Sequence, residues 1–103
     1  MDKITIVNYL MGNICSVVKK IKRIGYEPYI ATKDEQLVSA SKLILPGVGH
    51  FSSAVDKLKQ MNLWDALNKA VLINKIPILG ICLGMQLMAA KSEEGNCIGL
   101  GWF

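Results

Sequence analysis

The sequence predicts a three-layer α/β domain, a mostly parallel sheet with helices on both faces. Three observations carry this. Short apolar runs at residues 4–7, 43–45 and 78–81 have the length and composition of strands buried on both faces. Segments with apolar residues at helical spacing separate them. Loops containing glycine follow the first, third and fourth strands, at the ends where parallel sheets build their sites.

Residues 4–7 form the first strand, and Asn8-Tyr9-Leu10-Met11-Gly12-Asn13 turns the chain. Ile14, Val17, Val18, Ile21 and Ile24 then recur at helical spacing, and Gly25 closes the helix. Residues 27–31 read as a second strand, and Pro28 marks it as an edge or a strand start. Thr32 and Glu35 have the spacing of a capping box, so a short helix is expected to begin there. After the third strand, Phe51, Ala54, Val55, Leu58 and Met61 define the apolar side of a helix. Asn62 is placed to cap another, which turns Leu63, Trp64, Ala66, Leu67, Ala70 and Val71 inward. Residues 83–90 form a helix with few polar positions, and Gly95-Asn96 is a turn. Residues 97–103 read as the start of further β structure.

The chain has 103 residues, 51% hydrophobic and 19% charged, which suits one small core-rich domain rather than a disordered segment. Its net charge is +4, and Lys19, Lys20, Lys22 and Arg23 supply four of the twelve positive charges. They lie on the first helix and read as a solvated face. Without interleaved aromatic residues or a recognition motif they give no basis for nucleic-acid binding. Three cysteines (Cys15, Cys82 and Cys97) and no secretory leader argue against a disulfide framework and for a reducing, cytoplasmic setting. No apolar run reaches the roughly 18 residues of a membrane span. No His and Cys stand at metal-ligand spacing, and no metal or other cofactor is expected.

Gly80-Ile81-Cys82-Leu83-Gly84 is the chemical centre of the sequence. Cys82 ends an apolar strand and precedes a helix, with glycine two residues before and two after. That is the frame of a nucleophile elbow, in which a sharp turn presents the reactive atom and Gly80 and Gly84 let strand and helix approach. The bland alternative is a buried structural cysteine. A thiolate at such a turn attacks a carbonyl carbon, forming a tetrahedral oxyanion and then a thioester. The N–H of Leu83 is a candidate donor to that oxyanion. Pro46-Gly47-Val48-Gly49 either ends the third strand as a plain turn or forms an oxyanion loop. In the second case its glycines let a peptide reorient and aim an N–H at the developing charge. Gln86 lies one helical turn after Cys82 and is either solvated or a contact for a substrate's amino or carboxylate group. His50, the single histidine, is a candidate base only if it comes within hydrogen-bond reach of the thiol, and otherwise is a capping or surface residue. Asn13 reads as a helix cap, Glu93 and Glu94 as solvated residues or partners for a substrate ammonium, and Cys15 and Cys97 as structural.

With these residues in place the chain resembles the class I glutamine amidotransferases. The resemblance rests on Tyr9-x-x-Gly12-Asn13 with Ser16-Val17, on Pro46-Gly47-Val48-Gly49-His50-Phe51, and on the stretch from Gly80 to Gln86. Ser92-Glu93-Glu94-Gly95 and Gly99-Leu100-Gly101 extend it along essentially the whole chain. Within that family the combination resembles the glutaminase subunits that serve histidine biosynthesis. Subunits that supply ammonia for surface-sugar synthesis are the alternative, and a non-catalytic, self-associating module is a third reading. The resemblance implies a flavodoxin-like sandwich, with residues 1–103 the N-terminal part of one domain. It implies that Cys82 attacks the side-chain amide of glutamine and that Gly47, Val48, Gly49 and Leu83 shape the oxyanion hole. Gly49, Gln86 and Glu94 are then glutamine contacts, and Asn13, Gly80 and Gly84 structural supports. Ammonia passes to a (β/α)₈-barrel cyclase subunit. The family's base and its orienting carboxylate belong to a later Pro-x-x-His-Pro-Glu type segment. These 103 residues alone are therefore expected to show negligible glutaminase turnover. Leu10 stands where the family often has glycine, and Asn8 where it often has aspartate.

Overall fold

In the computed structural model, residues 3–10, 14–89, 91–92 and 97–102 are described. The chain runs β1 (Lys3–Val7), α1 (Ile14–Arg23), β2 (Glu27–Ala31), α2 (Asp34–Val38), β3 (Leu43–Leu45), α3 (Phe51–Gln60) and α4 (Trp64–Asn68). A π-helical turn (Lys69–Ile73), β4 (Ile78–Gly80), α5 (Leu83–Leu87), β5 (Lys91–Ser92) and β6 (Cys97–Ile98) follow. β2, β1, β3 and β4 lie side by side in that order, all parallel, while β5 and β6 form a separate antiparallel pair. Pro28 sits on β2, an edge strand, where its missing N–H costs no ladder bond.

The alternation of side chains along each strand divides the core in two. Ile4, Ile6 and Ile44 face α1 and pack with Ile21, Ile14, Val17 and Val18. Val7, Leu43 and Leu45 face the other way, toward Leu37, Phe51, Val55, Leu58, Leu63 and Leu67. Ile24 lies beyond the end of α1 and is 65% exposed, so it does not join the inward stripe. The four cationic residues of α1 are all exposed, as a solvated face requires.

Two local expectations are corrected. α2 starts one residue later than the Thr32–Glu35 spacing implies. The side-chain carbonyl of Gln36, not that of Glu35, accepts the Thr32 and Lys33 N–H groups, at 2.8 and 3.0 Å. Asn62 does not cap α4 through its side chain. It takes a left-handed conformation (φ 60°) that closes α3, and Leu63 occupies the cap position. The short polar side chain of asparagine tolerates that region, so the turn signal was real and its role was different. Because Gln36 satisfies two N–H groups at the start of α2, Gln36→Ala is expected to lower stability by about 1 kcal/mol in urea denaturation.

The elbow helix is also shorter than expected. α5 ends at Leu87 because residues 99–102 fold back across it and take its last carbonyls. The N–H groups of Leu100, Trp102 and Gly101 donate to Leu87, Met88 and Ala89, at 2.8, 2.8 and 3.0 Å. The Trp102 indole N–H donates to Asn68 Oδ1 at 2.8 Å and ties this strap to α4.

Candidate functional site

The strand order sets where a site can form. From β1 the chain steps outward to β2, then returns across β1 to β3. The crossovers from β1 and β3 therefore leave in opposite directions, and the carboxyl ends of these two strands are where parallel sheets bind ligands. The elbow after β4 adjoins them, because β4 pairs with β3 in register.

Cys82 is exposed and has φ 54° and ψ −119°. Residues with a Cβ rarely adopt this conformation, and holding it costs on the order of 1–3 kcal/mol. The surrounding contacts enforce it. The Ile81 N–H donates to the Leu45 carbonyl at 3.0 Å, and the Cys82 carbonyl accepts from Met85 and Gln86, at 3.0 and 3.3 Å. A Cβ on Gly84 would stand 1.7 Å from the Leu45 oxygen, and one on Gly80 would stand 2.7 Å from Met85 Cα. Glycine at both positions is thus a steric requirement of the crossing between strand and helix.

The loop after β3 lies directly against the elbow. Three successive carbonyls are taken by three different donors. Leu45 accepts from Ile81, Pro46 accepts from Tyr9 Oη at 2.6 Å, and Gly47 accepts from the Leu83 N–H at 3.1 Å. Gly47 is buried, Val48 is 58% exposed, and Gly49 has φ 112°, a value that favours glycine. The structure brings Gly47, Cys82, Leu83 and Gln86 together, with Gln86 exposed on α5. The Leu83 N–H, the expected oxyanion donor, is here occupied by Gly47.

His50 is exposed at the start of α3, and its Nδ1 pairs with Ser52 Oγ at 2.8 Å; it does not cap the helix through its side chain. Cys15 is exposed on α1. Leu10 has φ 67° and its N–H donates to Asn8 Oδ1 at 3.2 Å, so the loop keeps a left-handed turn with leucine at the position. Asn13, Glu93 and Glu94 lie outside the described residues. Among the described residues no group of three or more His, Cys, Asp or Glu side chains could hold a metal ion. No helix among them is long and apolar enough to cross a membrane.

Tyr9 is the site-shaping residue that the sequence reading left without a role. It is 1% exposed, and burial pushes its phenol above the ordinary value. The one signal was a tyrosine ending an apolar strand, since a buried hydroxyl there demands a partner.

The fold and the elbow define a class of protein: residues 5–96 match the class-I glutamine amidotransferase family, and the chain belongs to it. Among its particular relatives is the imidazole glycerol phosphate synthase subunit HisH 2 of Methanococcus maripaludis, 48% identical over 99 residues. That match covers 96% of this chain and 49% of the relative. The HisH subunit of Leptospira interrogans is 41% identical, over 96% of this chain and 48% of its own length. The chain therefore spans about half the length of the curated relatives it matches. A crystal structure of a glutamine amidotransferase superimposes with a TM-score of 0.78 at 24% identity, covering 94% of this chain and 51% of that one. This likeness shows the shared fold.

Proposed function

We propose that this chain is the nucleophile-bearing part of the glutaminase subunit of imidazole glycerol phosphate synthase. The observation that carries the reading is the strained, exposed Cys82 held against the Pro46–Gly49 loop. The family supports glutamine as the substrate, and the relatives' names support imidazole glycerol phosphate synthase as the parent enzyme. In this reading the Cys82 thiol attacks the side-chain amide carbon of glutamine. The C–N bond breaks, the amide nitrogen leaves as ammonia with the thiol proton, and a glutamyl thioester remains. Water then cleaves the thioester to glutamate and restores the thiol. Ammonia passes to a (β/α)₈-barrel cyclase subunit in the cytoplasm. Gly49, Gln86 and Glu94 contact glutamine, Asn13 supports the loop, and the base comes from a later segment.

For the Leu83 N–H to meet the oxyanion, the Gly47 carbonyl must turn away. Rotation of the single Gly47–Val48 peptide achieves this and swings the Val48 N–H toward the same place. An activated glutamate γ-p-nitrophenyl ester tests the reading, because its leaving group departs without a proton. The expected result is a burst of nitrophenolate with one glutamyl group on Cys82, detected by mass spectrometry and suppressed by glutamine. An unlabelled Cys82 refutes the reading.

A specific observation also favours self-association of the 103-residue chain. Among the described residues β4 pairs only with β3, and Leu79 on this edge is 58% exposed. Ile4, Ile21, Ile44, Pro77, Ile78 and Leu79 line an adjoining apolar groove of about 280 Å³. A second copy pairing along β4 covers both. Sedimentation is expected to show a dimer that Leu79→Lys converts to a monomer; a monomeric parent chain would sink the idea.

A further inference from the structure

We propose that Tyr9 is a positioning residue for the oxyanion site: it pins the Pro46–Gly47 peptide, so that rotation is confined to the neighbouring Gly47–Val48 peptide. The inference rests on the glutaminase reading and adds a residue to it.

The argument starts from where the loop is fastened. Leu45 is held by the Ile81 N–H, and Pro46 has no N–H of its own to anchor it. Its carbonyl is the last firm attachment before Gly47. Tyr9 supplies that attachment from 37 residues upstream, joining the loop that leaves β1 to the loop that leaves β3. The bond is 2.6 Å long and buried, where competition from water is weak. Burial also keeps the phenol protonated through the neutral range, so it remains a donor.

One residue further on, the attachment is of another kind. The Gly47 carbonyl is held by the Leu83 N–H at 3.1 Å, the donor that the chemistry needs. Val48 is exposed and Gly49 already has positive φ, so little packing opposes turning the peptide between Gly47 and Val48. A fixed peptide followed by a free one makes a pivot. Without the Tyr9 hydroxyl, the buried Pro46 carbonyl has no hydrogen-bond donor among the described residues. The motion then spreads over two peptides, and the Leu83 and Val48 N–H groups no longer converge on one point.

Tyr9→Phe tests this in the 103-residue chain, since phenylalanine keeps the ring and removes only the bond. The glutamyl ester reacts through an oxyanion, whereas iodoacetamide alkylates Cys82 without one. The expected result is a drop of about tenfold or more in the rate of the nitrophenolate burst, with alkylation changed less than about twofold. Amide exchange followed by NMR is expected to accelerate at Leu83 and to stay unchanged at Ile6 in β1. An unchanged burst rate overturns the proposal while leaving Cys82 as nucleophile. An equal fall with both reagents, or faster exchange at Ile6, shows a merely structural role and also overturns it. A parent chain that gives no burst overturns the glutaminase reading and, with it, the role assigned to Tyr9.

Discussion

Cys82→Ser is expected to abolish formation of the glutamyl adduct, lowering its rate by about 10³-fold or more. Serine has the same shape, so it tolerates the φ 54° turn as well as cysteine does, and the fold stays intact. What changes is the attacking atom. A hydroxyl at neutral pH is a far poorer nucleophile than a thiol, and the elbow alone does not remove its proton. The mass of the protein after exposure to the ester checks this, with the Cys15→Ser variant as the control that still labels. Adduct formation by Cys82→Ser at the parental rate would mean that another residue attacks.

Gly84→Ala is expected to be strongly destabilising. Its Cβ would sit 1.7 Å from the Leu45 carbonyl oxygen and 3.1 Å from that of Pro46. Both are backbone atoms, and the Leu45 oxygen already accepts from Ile81. Neither can yield by changing a rotamer, so α5 must lift off the end of β3. That costs about 3 kcal/mol or more. It also breaks the Leu83–Gly47 contact. The midpoint of urea denaturation is expected to fall sharply with little change in slope. A loss below about 1 kcal/mol would contradict the close crossing described here.

Much of this was legible because the determinants are local. The strands β1, β3 and β4 are runs of apolar residues; β1 and β3 are buried on both faces, while β4 lies at the sheet edge with Leu79 58% exposed. The elbow declares itself because one glycine is needed two residues before Cys82 and another two residues after it. The parts that stayed hidden depend on distant partners. Nothing near Tyr9 in sequence indicates that its hydroxyl meets Pro46, and nothing near Leu87 indicates that residues 99–102 will end its helix. The cap of α2 lies one residue beyond the Thr32–Glu35 spacing because Glu35 and Gln36 both carry a side-chain acceptor, and only the fold decides between them. The residues that the structure brings together at the elbow follow the same rule. Cys82, Gly47 and Leu83 lie in short motifs, whereas the bond that occupies the Leu83 N–H joins two of those motifs.

The strap of residues 99–102 sets an order of events in biosynthesis. A helix of five residues does not persist in isolation, because nucleation costs more than so few hydrogen bonds return. α5 therefore waits for its terminal carbonyls to be covered by a segment made more than ten residues later. As the chain emerges from the ribosome, β1, β2 and β3 and the contacts of the Cys82 turn with Leu45 and Gly47 have their partners in hand before the strap is made. The far end of α5 is thus completed last, once Leu100 to Trp102 are available to cover the carbonyls of Leu87, Met88 and Ala89.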